Sequence, residues 1–317
     1  MGNYISTWVP QRSSFTIEQV PNLTGQVMIV TGGNTGIGKE TCKALLRKNA
    51  KVYLAARSKA KADEAIEWLK QETDGKTAIF LELDLASLAS AKKAADTFQS
   101  IEQYLHVLFN SAGVCFPPVD QRTADGYDLQ FGTNLLGHFY FTRLLLPTLL
   151  HTARTTGHSR IIHTASGAVW NPPKGGIVWE TLGTDEASLA ACKRLGKGGL
   201  YAQSKLGNAL FSNELARRYG EQGVISVSVH PGAIKTEVAR HVYLPDWLKD
   251  FLMDLLLYPA PQGALSQVYA GTTLETEQLN GKFLIPWVTF GDPGPIAKDE
   301  KLAERLWTWC EEQVKDV

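Results

Sequence analysis

Apolar runs and amphipathic segments alternate along this chain from residue 27 onward. The apolar runs are typical of strands: Val27–Thr31, Val52–Ala56, Ala78–Leu83, Val107–Asn110, Arg160–Thr164, Val224–His230 and Lys282–Ile285. Longer segments between them carry apolar residues at helical spacing: Lys59–Glu72, Leu88–Ile101, Leu135–Leu150 and Tyr201–Tyr219. This alternation predicts an α/β protein with a single doubly wound parallel sheet of about seven strands and helices on both faces.

The chain shows no repeat and no linker that would divide it into two domains. We therefore predict an N-terminal arm over residues 1–24 and a single domain over residues 25–317. Residues 171–198 are rich in Pro and Gly and are predicted to form an insertion. Residues 240–258 carry a helical apolar stripe whose opposite face is acidic, whereas a helix lying on a membrane surface is usually basic there.

Composition excludes several classes of protein. Among 317 residues, 32 Lys and Arg balance 32 Asp and Glu, so nothing in the charge favours a nucleic-acid partner. The cysteines are scattered without a C-x-x-C pair, which favours a reduced, cytoplasmic protein without disulfides or structural zinc: Cys42, Cys115, Cys192 and Cys310. The first 26 residues lack a basic region followed by an apolar run, so no secretion signal is predicted. No apolar stretch reaches the roughly 20 residues of a transmembrane segment.

The first six residues, MGNYIS, match the N-myristoylation pattern, with Gly2 as the acceptor. A single acyl chain anchors a protein only marginally. Weak membrane association is therefore an alternative to a purely cytoplasmic location.

A glycine-rich turn, TGGNTGIG over residues 31–38, follows the first apolar run and precedes a helix-like segment. A strand, a glycine turn and a helix in this order direct backbone N–H groups and the positive helix end toward a pyrophosphate. The alternative is a turn that only packs the strand on the helix. The candidate cofactor contacts in this turn are Gly32, Asn34, Thr35, Gly36, Ile37 and Gly38.

Arg57 ends the second predicted strand, 19 residues beyond Gly38. A dinucleotide-binding fold that holds NAD usually places a carboxylate there, which would repel the 2′-phosphate of NADP. An Arg fork instead binds a phosphate with two hydrogen bonds. This predicts NADP(H) as the cofactor, with Lys61 as a second phosphate contact, against the alternative of an Arg that only caps a strand.

Two further strand ends carry candidate cofactor contacts. Asp84 and Leu85 follow the third predicted strand, where a carboxylate would accept a hydrogen bond from the adenine amino group. Asn110, Ala112 and Gly113 follow the fourth, where small residues let the backbone approach a ligand. Each is also compatible with an ordinary turn.

Tyr201 and Lys205 lie four residues apart at the start of a predicted helix, so they share one helix face. A phenol pKa near 10 is too high for a base at neutral pH, and the Lys ammonium, together with an oxidised nicotinamide, would lower it. Ser166 follows the fifth predicted strand and is placed to bond a substrate oxygen, although a lone Ser there is often a helix cap.

The glycine turn, the N-S-A-G sequence at residues 110–113, Ser166, Tyr201 and Lys205 occur in the order and spacing of the short-chain dehydrogenase/reductase family. The chain resembles this family over about residues 24–290, and most closely its retinol-dehydrogenase-like and protochlorophyllide-reductase-like branch. The resemblance implies that Ser166, Tyr201, Lys205 and Asn134 are catalytic, with Asn134 holding a proton-relay water.

The resemblance also covers residues 230–236. It implies contacts to the nicotinamide amide from this segment, which contains Pro231, through the Ile234 backbone and the Thr236 hydroxyl. It further implies that residues 240–258 form a lid over the active site. The family usually has Asn where this chain has Ser111, and Ser166 and Tyr201 lie 35 residues apart, more than in most members.

We therefore expect an NADP(H)-dependent oxidoreductase that reduces an apolar aldehyde or ketone, or oxidises the corresponding alcohol. The alternative is a catalytically silent NADP(H)-binding or sensing protein on the same fold. A zinc-dependent alcohol dehydrogenase is disfavoured because the histidines are isolated, so no metal ligand is expected. The expected partner is a small apolar molecule, and a homodimer is the candidate assembly.

Overall fold

The computed structural model describes residues 13, 15–234, 257–276 and 278–317. In this part of the chain one eight-stranded sheet has the order β3-β2-β1-β4-β5-β6-β7-β8. The strands are β1 Val27–Thr31, β2 Lys51–Ala56, β3 Ile79–Glu82, β4 Val107–Asn110, β5 Ser159–Thr164, β6 Val224–Val229, β7 Phe283–Ile285 and β8 Thr289–Gly291. The first seven strands pair in parallel, and β8 pairs antiparallel with β7.

Helices cover both faces of the sheet. They are α1 Gly36–Arg47, α2 Lys59–Glu72, α3 Leu88–Ile101, α4 His138–Thr156, α5 Glu186–Tyr219, α6 Ala260–Thr272 and α7 Glu300–Val314. Helices α3, α4, α5 and α7 share one apolar layer with the sheet, and α1, α2 and α6 share the other. Among the described residues, no helix is both long and apolar enough to cross a membrane.

The predicted doubly wound parallel sheet is confirmed. Parallel strands buried on both faces are continuous apolar runs, and for this reason the first seven lie within one or two residues of their predicted bounds. The strand order reverses between β1 and β4, and the carboxyl ends of these two strands flank the crevice where such sheets bind ligands. The antiparallel β8 is an addition to the predicted sheet.

Two helical segments differ from prediction. The segment predicted as a helix over 135–150 begins as a π-helical turn, Gly132–Gly137, and continues as α4 to residue 156. The segment predicted as an insertion over 171–198 is helical from Glu186, because the Asp185 side chain caps α5 by accepting from the Ser188 N–H. Gly196, with φ of 72°, lies at a kink within α5.

Several predicted features lie partly or wholly outside the described residues. Gly2, Thr236 and residues 240–256 of the predicted lid are among them, so their assignments stay predictions. Within the described part of the predicted arm, Val20 and Leu23 are buried in the apolar layer that contains α1. At the other end of the predicted lid, the Tyr258 N–H donates to the Ala233 carbonyl at 2.7 Å.

Candidate active site

The glycine turn packs tightly against its surroundings. Gly32 has a φ of 67°, and a Cβ there would lie 3.0 Å from the Cα of Ala112. A Cβ at Gly38 would overlap the carbonyl oxygen of Gly32. Helix α1 therefore begins directly against the turn, and its first N–H groups have no partner within the helix, which is the arrangement that binds anions.

Thr31, at the end of β1, joins the glycine turn to the segment after β4. Its Oγ1 accepts hydrogen bonds from the N–H groups of Ser111 and Ala112 at 2.9 and 3.0 Å. The same Oγ1 lies 2.9 Å from Nε2 of His138. This network fixes the backbone of two predicted cofactor segments relative to each other.

His138 continues that network to Asn134. Its Nδ1 lies 3.0 Å from the Asn134 carbonyl oxygen, and a carbonyl oxygen only accepts, so Nδ1 carries the proton. The neutral Nε2 is then an acceptor for the Thr31 hydroxyl, whose one proton also faces the Phe109 carbonyl at 3.2 Å. Burial lowers the pKa of His138 to about 4, so its ring is neutral at physiological pH.

The Asn134 side chain connects the segment after β4 to α5. Its Oδ1 accepts from the Val114 N–H at 2.8 Å, and its Nδ2 donates to the Val114 carbonyl and to Ser204 Oγ, both at 3.0 Å. Asn134 is completely buried, so each of its bonds is made without competition from water. The side chain therefore fixes two walls of the candidate site.

The Asn110 side chain points away from the carboxyl edge. Its Nδ2 donates to Thr142 Oγ1 on α4 at 3.0 Å and lies 3.5 Å from Nδ1 of His163. Any cofactor contact from Asn110 must therefore come from its backbone. Ala112 and Gly113, in contrast, lie at the edge. Ala112 is half-buried and Gly113 is exposed.

Basic side chains gather at the end of β2. Arg57 and Lys61 are both exposed, and between them Ser58 caps α2 by accepting from the Lys61 N–H. At the end of β3, Asp84 Oδ1 accepts from the Ala86 N–H at 2.9 Å, which orients the half-buried carboxylate. Leu85 is buried. Cations, a helix N-terminus and a fixed carboxylate thus lie at successive strand ends.

Ser166 and Tyr201 meet beside the end of β5. The Ser166 hydroxyl accepts from the Ala168 N–H at 3.2 Å, which caps a short 3₁₀ turn, and it lies near enough to the Tyr201 phenol to lower the pKa of that group. Ser166 is therefore both a helix cap and a neighbour of Tyr201. Tyr201 is half-buried at the second part of α5, five residues beyond the kink at Gly196.

Lys205 is buried on the same face of α5. Its Nζ donates to the Thr164 carbonyl at 2.8 Å and lies 5.9 Å from the centre of the Tyr201 ring. Burial lowers the pKa of Lys205 to about 8. An ammonium has three donors, and the same group borders Gly113, so it faces the carboxyl edge.

The pKa of Tyr201 does not follow the sequence-based expectation. Burial raises it, a nearby Cys115 raises it further, and the hydrogen bond from Ser166 lowers it. The described side chains alone therefore keep the Tyr201 phenol protonated at neutral pH.

The segment after β6 reaches the glycine turn. Ile234 and Ile37 flank Gly263 on α6, where a Cβ would lie 2.8 and 3.0 Å from their side chains. Pro231, which begins this segment, is half-buried. The structure thus brings one of the predicted nicotinamide contacts, Ile234, beside the predicted pyrophosphate turn.

Sequence reasoning overlooked four residues that the structure brings to this site: Cys115, Gln130, His138 and Gln267. Cys115 lies near the Tyr201 phenol, and burial raises the pKa of its thiol to about 11, so it is a protonated neighbour. The completely buried Gln267 accepts from Ser111 Oγ at 3.3 Å and Thr164 Oγ1 at 3.0 Å, and donates to Thr41 Oγ1. Only His138 carried a signal, because it lies one helical turn beyond Asn134.

Comparisons with known proteins identify the family of this chain. Residues 26–181 match the family model described as short chain dehydrogenase. A short-chain dehydrogenase/reductase of Armillaria gallica is 50% identical over 100% of both chains. Human retinol dehydrogenase 11 is 36% identical over 93% of this chain and 87% of its own. A crystal structure of an uncharacterized protein from Mycobacterium paratuberculosis aligns with a TM-score of 0.72 at 28% identity, covering 96% of this chain and 98% of that one.

The chain belongs to the short-chain dehydrogenase/reductase family, a family of oxidoreductases. Its relatives include human retinol dehydrogenases, which confirms the predicted resemblance to the retinol-dehydrogenase-like branch.

Proposed function

We propose that this protein uses NADP(H) to reduce the carbonyl group of an apolar aldehyde or ketone, or to oxidise the corresponding alcohol. The observation that supports it most is the placement of Ser166 near the Tyr201 phenol, beside the buried ammonium of Lys205. Two hydroxyls that converge on one point form a site for a carbonyl oxygen. The relatives named as retinol dehydrogenases support an apolar substrate.

The residues at the carboxyl edge fit a dinucleotide. The glycine turn leaves a cradle that a Cβ would fill, and the free N–H groups at the start of α1 suit a pyrophosphate. The exposed Arg57 and Lys61 would hold a 2′-phosphate, and Asp84 would accept from the adenine amino group. Lys205 would donate to the nicotinamide ribose, and Pro231 and Ile234 would flank the nicotinamide end, as would Thr236.

Tyr201 acts as the proton donor in this proposal. The substrate carbonyl oxygen accepts hydrogen bonds from Ser166 and Tyr201, and the phenol proton moves to that oxygen as the carbonyl carbon is reduced. The bound cofactor supplies the hydride. Because burial raises the pKa of Tyr201, the phenol carries its proton at neutral pH and can donate it to the substrate oxygen.

Lys205 and Asn134 support that transfer. The Lys205 ammonium favours the phenolate that remains after the proton has left. Asn134 and Lys205 both border Gly113, and a water held there by Asn134 would return a proton toward Tyr201. Ser166 orients the carbonyl and is not itself deprotonated.

The test follows NADPH consumption at 340 nm with aldehydes, cyclic ketones and retinoids of graded size as substrates. We expect turnover of apolar carbonyls, and no turnover by a Tyr201→Phe variant that serves as the matched blank. Tight NADPH binding with no consumption on any member of the panel would contradict the proposal and favour a silent NADP(H)-binding protein.

A further inference from the structure

Phe116 has an unusual backbone conformation next to Tyr201. Its φ is 55°, in the left-handed region that a bulky side chain avoids. The residue is 38% exposed, and the ring centres of Phe116 and Tyr201 are 5.2 Å apart at an angle of 59°. A conformation of this kind persists only where surrounding contacts impose it, and such residues cluster at functional sites.

Gln130 supplies those contacts. Its Oε1 accepts from the Phe116 N–H at 3.0 Å, and its Nε2 donates to the Lys197 carbonyl at 3.1 Å. The side chain is only 1% exposed, so neither bond competes with water. Lys197 directly follows Gly196, where α5 is kinked. Gln130 thus ties the Phe116 backbone to the kink that precedes Tyr201.

We propose that Phe116 forms an aromatic wall of the substrate site, and that Gln130 is the positioning residue that holds it. This rests on the proposed function, in which the substrate carbonyl oxygen meets the Tyr201 phenol. A group attached to that carbonyl would extend along the exposed ring of Phe116. Aromatic rings gain more from such contact than alicyclic rings of the same size, so the wall selects carbonyl compounds with a planar, unsaturated substituent.

Two non-reducible carboxamides test this preference without relying on turnover. Calorimetry in the presence of NADPH gives the Kd of benzamide and of cyclohexanecarboxamide, which differ in planarity but little in size. We expect the wild-type protein to prefer benzamide. Phe116→Leu keeps an apolar side chain without the ring, and we expect it to reduce that preference about two- to tenfold.

Phe290→Leu is the matched control, because Phe290 is an exposed Phe on β8 at the edge of the sheet. It should leave the ratio of the two Kd values unchanged. Three results would contradict the proposed role of Phe116. They are an unchanged ratio in Phe116→Leu, equal changes of the ratio in both variants, and failure of both carboxamides to bind the wild type.

Gln130→Met tests the positioning role, since it keeps the length of the side chain but removes both hydrogen bonds. We expect the same loss of preference as in Phe116→Leu, with NADPH affinity unchanged. Phe116→Gly removes the ring and also permits the left-handed φ. We expect its Tm to equal or exceed that of Phe116→Leu. If the ring had only a packing role, the Tm of Phe116→Gly would be lower than that of Phe116→Leu.

The two proposals fail separately. If the wild type prefers benzamide through Phe116 but reduces no aldehyde, the wall stands and the proposed reaction is wrong. If the wild type reduces benzaldehyde and cyclohexanecarbaldehyde, and Phe116→Leu changes their kcat/KM values by the same factor, the reaction stands and the wall is wrong.

Discussion

Two parts of the candidate site are built in opposite ways. At the ends of β1 and β2, the groups proposed to bind the cofactor are backbone N–H groups and the exposed side chains of Arg57 and Lys61. At the end of β5 and on α5, the groups proposed to do the chemistry are a half-buried Tyr201 and a Lys205 that is 5% exposed. One part meets the solvent, and the other is largely withdrawn from it.

The difference determines how each part responds to change. An exposed cation attracts a phosphate in competition with water and salt, so its removal weakens binding by a moderate amount. A buried group has fixed partners and a shifted pKa, so its removal or titration alters the reaction itself. We therefore expect side-chain changes in the second part to have the larger effects.

The largest effect is expected for Tyr201→Phe, which removes the proposed proton donor and keeps the ring. General acid catalysis contributes about 10²–10⁴-fold, so kcat should fall by at least that factor. NADPH affinity should change little. Steady-state kinetics and fluorescence titration with NADPH measure the two quantities.

Tyr219→Phe, at the far end of α5, makes the same chemical change away from the site and should retain wild-type activity. If Tyr201→Phe kept more than about a tenth of the wild-type kcat, the activation free energies of the two proteins would differ by less than about 1.4 kcal/mol. Tyr201 would then not be the acid, and the expectation that changes in the buried part of the site have the larger effects would be wrong.

A smaller effect is expected at Arg57. Loss of a charge-assisted pair costs about 1.5–3 kcal/mol, so Arg57→Asp should lower kcat/KM for NADPH about ten- to hundredfold. The new carboxylate should also favour NADH, which reverses the preference. Wild-type kcat/KM measured with each cofactor gives the reference.

Arg154→Asp makes the same change of charge at an exposed position near the end of α4 and should not alter the cofactor ratio. Equal kcat/KM values for NADPH and NADH in the wild type would remove the basis for this prediction. They would also mean that the exposed cations do not choose the cofactor.

The smallest effect is the pH dependence that Lys205 confers. Its pKa of about 8 means that the ammonium is present at pH 7 and mostly lost at pH 9. The Kd for NADPH should therefore rise above pH 8, by at most about tenfold at pH 9, since one unit above a pKa leaves about a tenth of the group protonated. The Lys205→Arg variant keeps its charge at high pH, so its Kd for NADPH should change less with pH. A flat wild-type profile would contradict the assignment.

Much of the fold could be predicted from the sequence because its signals are local. Helices α2 and α3 have the bounds predicted from their apolar spacing, and each begins at a Ser that caps it. Strand β8 was not predicted, since two exposed residues and a half-buried glycine carry no apolar pattern. The amino-terminal part of α5 was missed because Gly196, Gly198 and Gly199 are typical of a loop.

The candidate site was predictable in its motifs and not in its contacts. Ser166, Tyr201 and Lys205 follow from position along the chain, and the structure brings them together. The opposite direction of the Tyr201 pKa depends on burial and on Cys115, which is 86 positions away in sequence. Such contacts are set by tertiary packing, which apolar periodicity does not encode.

Gln267 has a consequence for the order of folding. Its side chain on α6 bonds Thr41, Ser111 and Thr164, which precede it by 226, 156 and 103 residues. These groups are polar and are buried or half-buried in the folded protein. Until α6 docks, water must supply their hydrogen bonds. During synthesis from the amino terminus, the first five strands can pair before α6 exists. The carboxyl edge therefore becomes rigid only after α6 has been made.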